Sequence, residues 1–154
     1  AKPYLKSSRT SKQTVSARRH LRSETSKLVR THVKKMAEGF DANRSQVKED
    51  RLAEFLAAPV QEEITTVPGI GPKAKEMLAK TVEGDQSITT TYQLIGKFLT
   101  LRGEKMTQKE HCDAFWHWLN ARGINSFRAG IVHCIAEKCN LMIPGIYIAD
   151  EEAE

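Results

Sequence analysis

The chain has 154 residues, 40% hydrophobic and 6% aromatic, enough for one compact domain and a tail but not for two full domains. No run reaches the roughly 18 uninterrupted apolar residues of a membrane span, and no charged-then-apolar leader opens the sequence, so a soluble protein is expected. The formal charge of +5 is unevenly spread: residues 1–48 carry 13 Lys and Arg against 3 acids, a net of +10, and residues 49–154 carry 11 against 16, a net of −5.

Residues 1–44 read as a basic, largely flexible tail, because a segment rich in Lys, Arg, Ser and Thr and poor in large apolar side chains cannot offset its ordering entropy by burial. Its natural partner is a polyanion, nucleic acid first among them. A solubilising or targeting tail is the plainer alternative: no acid precedes Glu24, which also suits a mitochondrial transit peptide. Val29, Val33, Met36 and Phe40 share one helical stripe and Gly39 supplies a stop. This predicts a helix near 29–39, or one that forms only on a partner.

A folded domain is expected over 45–145. Val47, Leu52, Phe55 and Leu56 line one side of a helix that ends before Pro59. A short helical turn follows at Ile64 to Val67. Pro72 is placed as the first residue of a helix carrying Ala74, Met77, Leu78 and Val82, with Gly84 and Asp85 breaking the chain after it. Ser87 is expected to cap a helix in which Ile88, Tyr92, Ile95 and Leu99 recur, with Gly103 at its end. Thr107 and Glu110 form a capping box ahead of Phe115, Trp118 and Leu119. After Gly123, Asn125 or Ser126 is expected to cap a last helix that buries Ile131, Ile135, Cys139 and Met142. Every strong periodicity is helical, so the fold class is all-α: a compact bundle of five or six short helices, followed by an acidic C-terminal tail over 146–154.

The segment from Ile64 to Leu78 carries the chemistry. Two helical patterns flank Gly69-Ile70-Gly71, the pattern of a helix-hairpin-helix. Glycines let the backbone approach a phosphate and permit positive φ, while the next helix offers unpaired N–H donors and a positive dipole end. Lys73 and Lys75 add charge in its first turn, and Ile64, Val67, Ile70 and Leu78 are expected to face inward and hold the turn rigid. Such a contact touches backbone alone and carries affinity without sequence preference. A helix-helix turn with no ligand is the plainer reading.

Enzymatic readings are weaker. A glycosylase of the hairpin class needs a catalytic Asp after a second apolar-Gly-Pro-Asp turn; Asp85 and Lys80 are available, but that turn is missing, and His111, His117 and His133 have no obvious nucleophile. No enzyme is expected. Three cysteines, Cys112, Cys134 and Cys139, make structural disulfides unexpected. Zinc is considered for His111, Cys112, His133, Cys134 and Cys139, but the spacing lacks a CxxC or HxxxH pair, so neither a metal nor another cofactor is expected.

From Arg51 to Met142 the chain resembles the barrier-to-autointegration factor family. The likeness runs through Phe55-Leu56-Ala57-Ala58-Pro59, the hairpin ending Gly69-Ile70-Gly71, the stretch Tyr92 to Leu99, the block Phe115-Trp116-His117-Trp118-Leu119, Gly123 with Asn125, and Cys134 to Cys139. The resemblance implies a helical homodimer whose subunits each present one hairpin to a separate duplex, a chromatin protein that bridges double-stranded DNA without reading its sequence. It implies phosphate contacts at Gly69, Ile70 and Gly71, a basic contact at Arg51, and a second patch at Asn125 and Ser126. Close packing of subunits at Gly96 with Trp118 beside the seam, LEM-domain protein partners and a nuclear location are implied too. The chain departs from the family at Glu76 and Met77, where a lysine pair is usual, in a longer loop over 103–108, in one residue fewer between Asn125 and Cys134, and in the basic tail. The alternatives are an RNA-binding structural subunit of a ribonucleoprotein and a viral or organellar genome-packaging protein, placed in a virion or mitochondrion.

Overall fold

A computed structural model describes residues 39–147. Residues 1–38 of the expected basic tail and 148–154 of the expected acidic end lie outside the described residues, and with them the greater part of the helix expected near 29–39. Gly39 and Phe40, the last residues of that stretch, are irregular.

The described chain is all helical: α1 (Glu49–Ala57), α2 (Pro72–Ala79), α3 (Thr91–Thr100), α4 (Gln108–Ala121) and α5 (Arg128–Met142), with single 3₁₀ turns at Ala42–Arg44 and Ile64–Thr66. Two isolated bridges, Glu63 to Thr90 and Val82 to Asp85, take the place of strands among the described residues. No described helix is long and apolar enough to cross a membrane.

The five helices form a compact bundle around α5. This helix is apolar on nearly all sides, with Ile131, Val132, Cys134, Ile135, Ala136 and Cys139 all buried, and a helix without a polar face must sit inside. It packs against α4, α1, α3 and the first 3₁₀ turn. The sequence pattern suggested a single buried face ending at Met142; instead burial wraps round the helix and Met142, at its end, is exposed. Packing begins before Ser45: the Phe40 amide donates to Asp113 Oδ1 at 2.6 Å, and its ring packs on the core.

Local chemistry sets the helix starts. Pro72 opens α2 as its first residue, and Thr107 with Glu110 closes the expected capping box at α4. Two starts differ from expectation. Helix α3 begins at Thr91, not after Ser87, because Thr90 and Gln93 form a complete capping box there. Ser87 donates its hydroxyl to Ala79 O, so Ile88 is buried outside the helix and Tyr92 lies on the open side. Helix α5 is preceded by neither Asn125 nor Ser126 as cap. The N-cap is Phe127, in the left-handed region at φ 59° with no side-chain cap bond. Val82, expected on α2, lies past its end and is exposed.

Two buried cations bind carbonyls at the C-terminal ends of α1 and α2. Lys138 on α5 donates to Phe55 O, Leu56 O and Ala58 O at 3.1, 2.9 and 2.5 Å, satisfying two orphan carbonyls of α1 and that of its cap residue. Arg122 does the same for α2, donating to Leu78 O and Lys80 O at 2.5 and 2.6 Å. The far ends of α1 and α2 are thereby tied to the bundle, and both helices contribute to the groove described next.

Candidate nucleic-acid interface

The residues from Ile64 to Leu78 fold as a 3₁₀ turn, a glycine bend and α2. Ile64, Val67, Ile70 and Leu78 are all buried, at 0, 0, 4 and 0% exposure, so the bend stands on the core as expected. The Ile70 amide donates to Val67 O at 3.1 Å, closing the turn. The arm before the bend is a 3₁₀ turn of three residues and not an α-helix.

The two glycines do different jobs. Gly69 has φ 95°, and a Cβ there would stand 3.0 Å from Ile131 Cγ1 and 3.4 Å from Phe127 O. Its lack of a side chain therefore lets the bend press against the start of α5. Gly71 has φ −96° and ψ −176°, open to any residue, and a Cβ there would meet nothing within 4 Å. No fold requirement explains Gly71. It caps α2 with no side-chain bond, and the amides of Gly71, Lys73 and Ala74 donate to no acceptor among the described residues. They form an exposed N-terminal donor set with the positive end of the helix dipole behind it.

This bend forms one wall of a groove of about 800 Å³. The approach to α1 (Gln46 to Arg51) and the α4–α5 loop (Gly123 to Phe127) form the other walls. Arg51, Gly69, Ile70, Gly71, Lys73, Asn125 and Ser126, far apart in sequence, all line it. A Cβ on Gly123 would stand 3.0 Å from Met77 Cε, so a second glycine contact joins the α4–α5 loop to α2. Among the described residues the groove's lining carries three cations, Lys48, Arg51 and Lys73, and no carboxylate. The bias is local, since residues 45–145 as a whole carry 12 Lys and Arg against 12 acids.

Lys75 is the exception among the expected contacts. Its ammonium donates to Glu63 Oε1 at 2.7 Å, away from the groove, and this bond together with those from Thr65 holds the Glu63 carboxyl below its usual range. Arg51 lines the groove while pairing on the surface with Glu54 at 3.1 Å, which leaves further guanidinium donors. Lys48 and Phe127 were not singled out in the sequence. Lys48 could have been found as the cation one turn before Arg51, whereas nothing in the sequence announces that Phe127 takes a left-handed conformation.

Gly96 lies on the open side of α3, where a Cβ would meet nothing within 4 Å. Trp118 is half-buried with a role inside the chain: its ring stacks on Phe115 and its Nε1–H donates to Asp85 Oδ2 at 2.5 Å. Asp85 also accepts from Lys97 at 2.8 Å and lies 3.7 Å from Arg122. Burial pushes the Asp85 carboxyl up, but the bonds from Lys97 and Trp118 outweigh it and hold the group below its usual value.

The histidines and cysteines weighed for zinc or catalysis do not converge; among the described residues no three His, Cys, Asp or Glu side chains come together as ligands. His111 is fully buried against Phe98, 2.6 Å from Phe98 O through Nε2 and 2.7 Å from the Tyr147 hydroxyl through Nδ1. The carbonyl can only accept, so Nε2 carries the proton and Nδ1 accepts from Tyr147. Burial lowers the pKa of His111. Burial also pushes the thiols of Cys112, Cys134 and Cys139 up to about 12, which keeps them as neutral core side chains at neutral pH.

Neither a protein-family model nor a curated protein nor a solved structure matches the chain.

Proposed function

We propose that this chain is a non-enzymatic protein that binds double-stranded DNA through its phosphates, without sequence preference, and bridges duplexes as a homodimer in the manner of the barrier-to-autointegration factor family. The observation that carries the reading is the groove: free helix amides, an unobstructed Gly71 and three cations without one carboxylate among the described lining residues, within a domain (45–145) whose 12 Lys and Arg and 12 acids cancel. Such a surface suits a phosphodiester strand, because backbone amides and a helix N-terminus hold the anion while Lys and Arg displace its counterions. The basic tail extends the same electrostatics. Pairing of subunits would use the open side of α3 around Gly96. A nuclear, chromatin-bound role and LEM-domain partners follow from the family likeness alone.

Salt dependence tests the reading. Each phosphate paired with a cation contributes about 0.9 to the slope of log affinity against log salt. Replacing Lys48, Arg51 and Lys73 together by Gln should flatten the slope by about 2 to 3, and deleting residues 1–38 should flatten it further. Unchanged slopes in both would sink the reading. Tighter binding to folded RNA than to duplex in a competition assay would move it to the ribonucleoprotein alternative.

A further inference from the structure

Phe127 lines the groove but serves neither the core nor the phosphate reading. It is 57% exposed and belongs to no ring pair among the described residues. Its backbone stands at φ 59°, a region bulky side chains rarely enter. The position is firmly held all the same: its carbonyl accepts the Ile131 amide at 3.1 Å, and its Cβ would lie 3.5 Å from a Cβ on Gly69. A large aromatic is thus kept at the rim of a cationic groove, beside the turn proposed to hold a phosphate, at a strain that packing does not explain.

We propose that Phe127 is a stacking platform that directs the groove to DNA in which a base has lost a neighbour, as at a gap or a frayed end. The inference rests on the phosphate reading of the groove, which brings the strand to the ring. In an intact duplex both faces of an internal base are covered by adjacent pairs, so a ring at the rim has no base face to meet. Where a nucleotide is missing, the uncovered base of a strand held at Gly71 comes within reach of the ring. Stacking on an aromatic is tolerant of base identity, in keeping with a backbone contact that reads no sequence.

The test uses the full chain and two labelled probes, a short duplex and the same duplex lacking one internal nucleotide, with affinity read by fluorescence anisotropy. The wild type should prefer the gapped probe by about five- to hundredfold, the range of one base stacked on an aromatic ring. Phe127→Ala should lose that preference and keep the intact-duplex affinity, whereas Phe127→Trp should retain the preference. Phe127→Asn, which tolerates the left-handed backbone, should match Phe127→Ala, and a thermal melt checks that both are folded. Equal wild-type affinity for the two probes overturns the proposal while leaving the phosphate reading intact. So does a Phe127→Ala loss shared equally by both probes, which would place the ring against sugars of the intact duplex. Absence of salt-dependent binding to either probe removes the phosphate reading, and this proposal with it.

Discussion

Gly69 and Gly71 are separated by one residue, yet substitution should affect them in opposite ways. At Gly71 the backbone angles suit any residue and a Cβ would meet nothing within 4 Å, so Gly71→Glu should fold. The new carboxylate sits at a helix N-terminus, where an acid contributes about 0.3–1 kcal/mol, and the melting temperature should hold or rise. The same carboxylate would project to where a phosphate must approach. Two like charges about 4 Å apart repel by roughly 1 kcal/mol in water and about 4 kcal/mol at the effective dielectric of a protein surface, a five- to several-hundredfold loss of duplex affinity. Gly69→Ala should instead lose about 1–2 kcal/mol of stability, because φ 95° is strained for any Cβ and Ile131 Cγ1 lies 3.0 Å from it. The pair is read by thermal melts and anisotropy on one intact duplex. Wild-type affinity in a folded Gly71→Glu protein would refute the placement of the phosphate, and loss of folding in that variant would refute the claim that Gly71 is free of fold constraints.

Further outcomes follow from the same geometry. Lys138→Met should cost about 1–3 kcal/mol in urea melts, since it strands the carbonyls of Phe55, Leu56 and Ala58; an unchanged midpoint would show that the buried ammonium is not needed as a cap. Burial puts the folded pKa of His111 below its ordinary 6.5, so the unfolded chain takes up the proton first. Stability from this group is complete above that value and is lost as the pH falls below it. Between about pH 7.5 and 5.5 the wild type should lose more stability than His111→Gln, and equal losses would contradict the buried neutral imidazole. Gly96→Glu adds a side chain into open space, so the fold should persist while the proposed dimer separates and duplex bridging fails. A variant that stays dimeric by sedimentation would place the subunit seam elsewhere.

The helical class and the bend were legible in the sequence for local reasons, whereas Arg51, Asn125 and Ser126 on the other walls of the groove came only from the family resemblance. Pro72 at the first turn of α2 and the Thr107–Glu110 box act through neighbours in the chain. The inward set Ile64, Val67, Ile70 and Leu78 follows from apolar spacing. What was missed depends on residues distant in sequence or on backbone angles. The start of α3 moved because two capping signals compete, and Thr90 prevails: its box with Gln93 is complete, and Thr91 is anchored to Glu62 O at 3.0 Å and Glu63 O at 3.1 Å. Lys75 could not be separated from Lys73 by pattern, because Glu63, twelve residues away, takes only one of them. Wrapping of α5 by its neighbours is a property of the whole bundle, so a one-sided stripe was the most its own sequence suggested.

The most direct measurement is an amide NMR titration of the full chain with two short duplexes of unrelated sequence. Phosphate held at the groove should shift the amides of Gly71, Lys73, Ala74, Asn125 and Ser126, with the same pattern for both duplexes and reversal by added salt. Shifts confined to other surfaces, with these five amides unmoved at saturation, would contradict the groove as the DNA site.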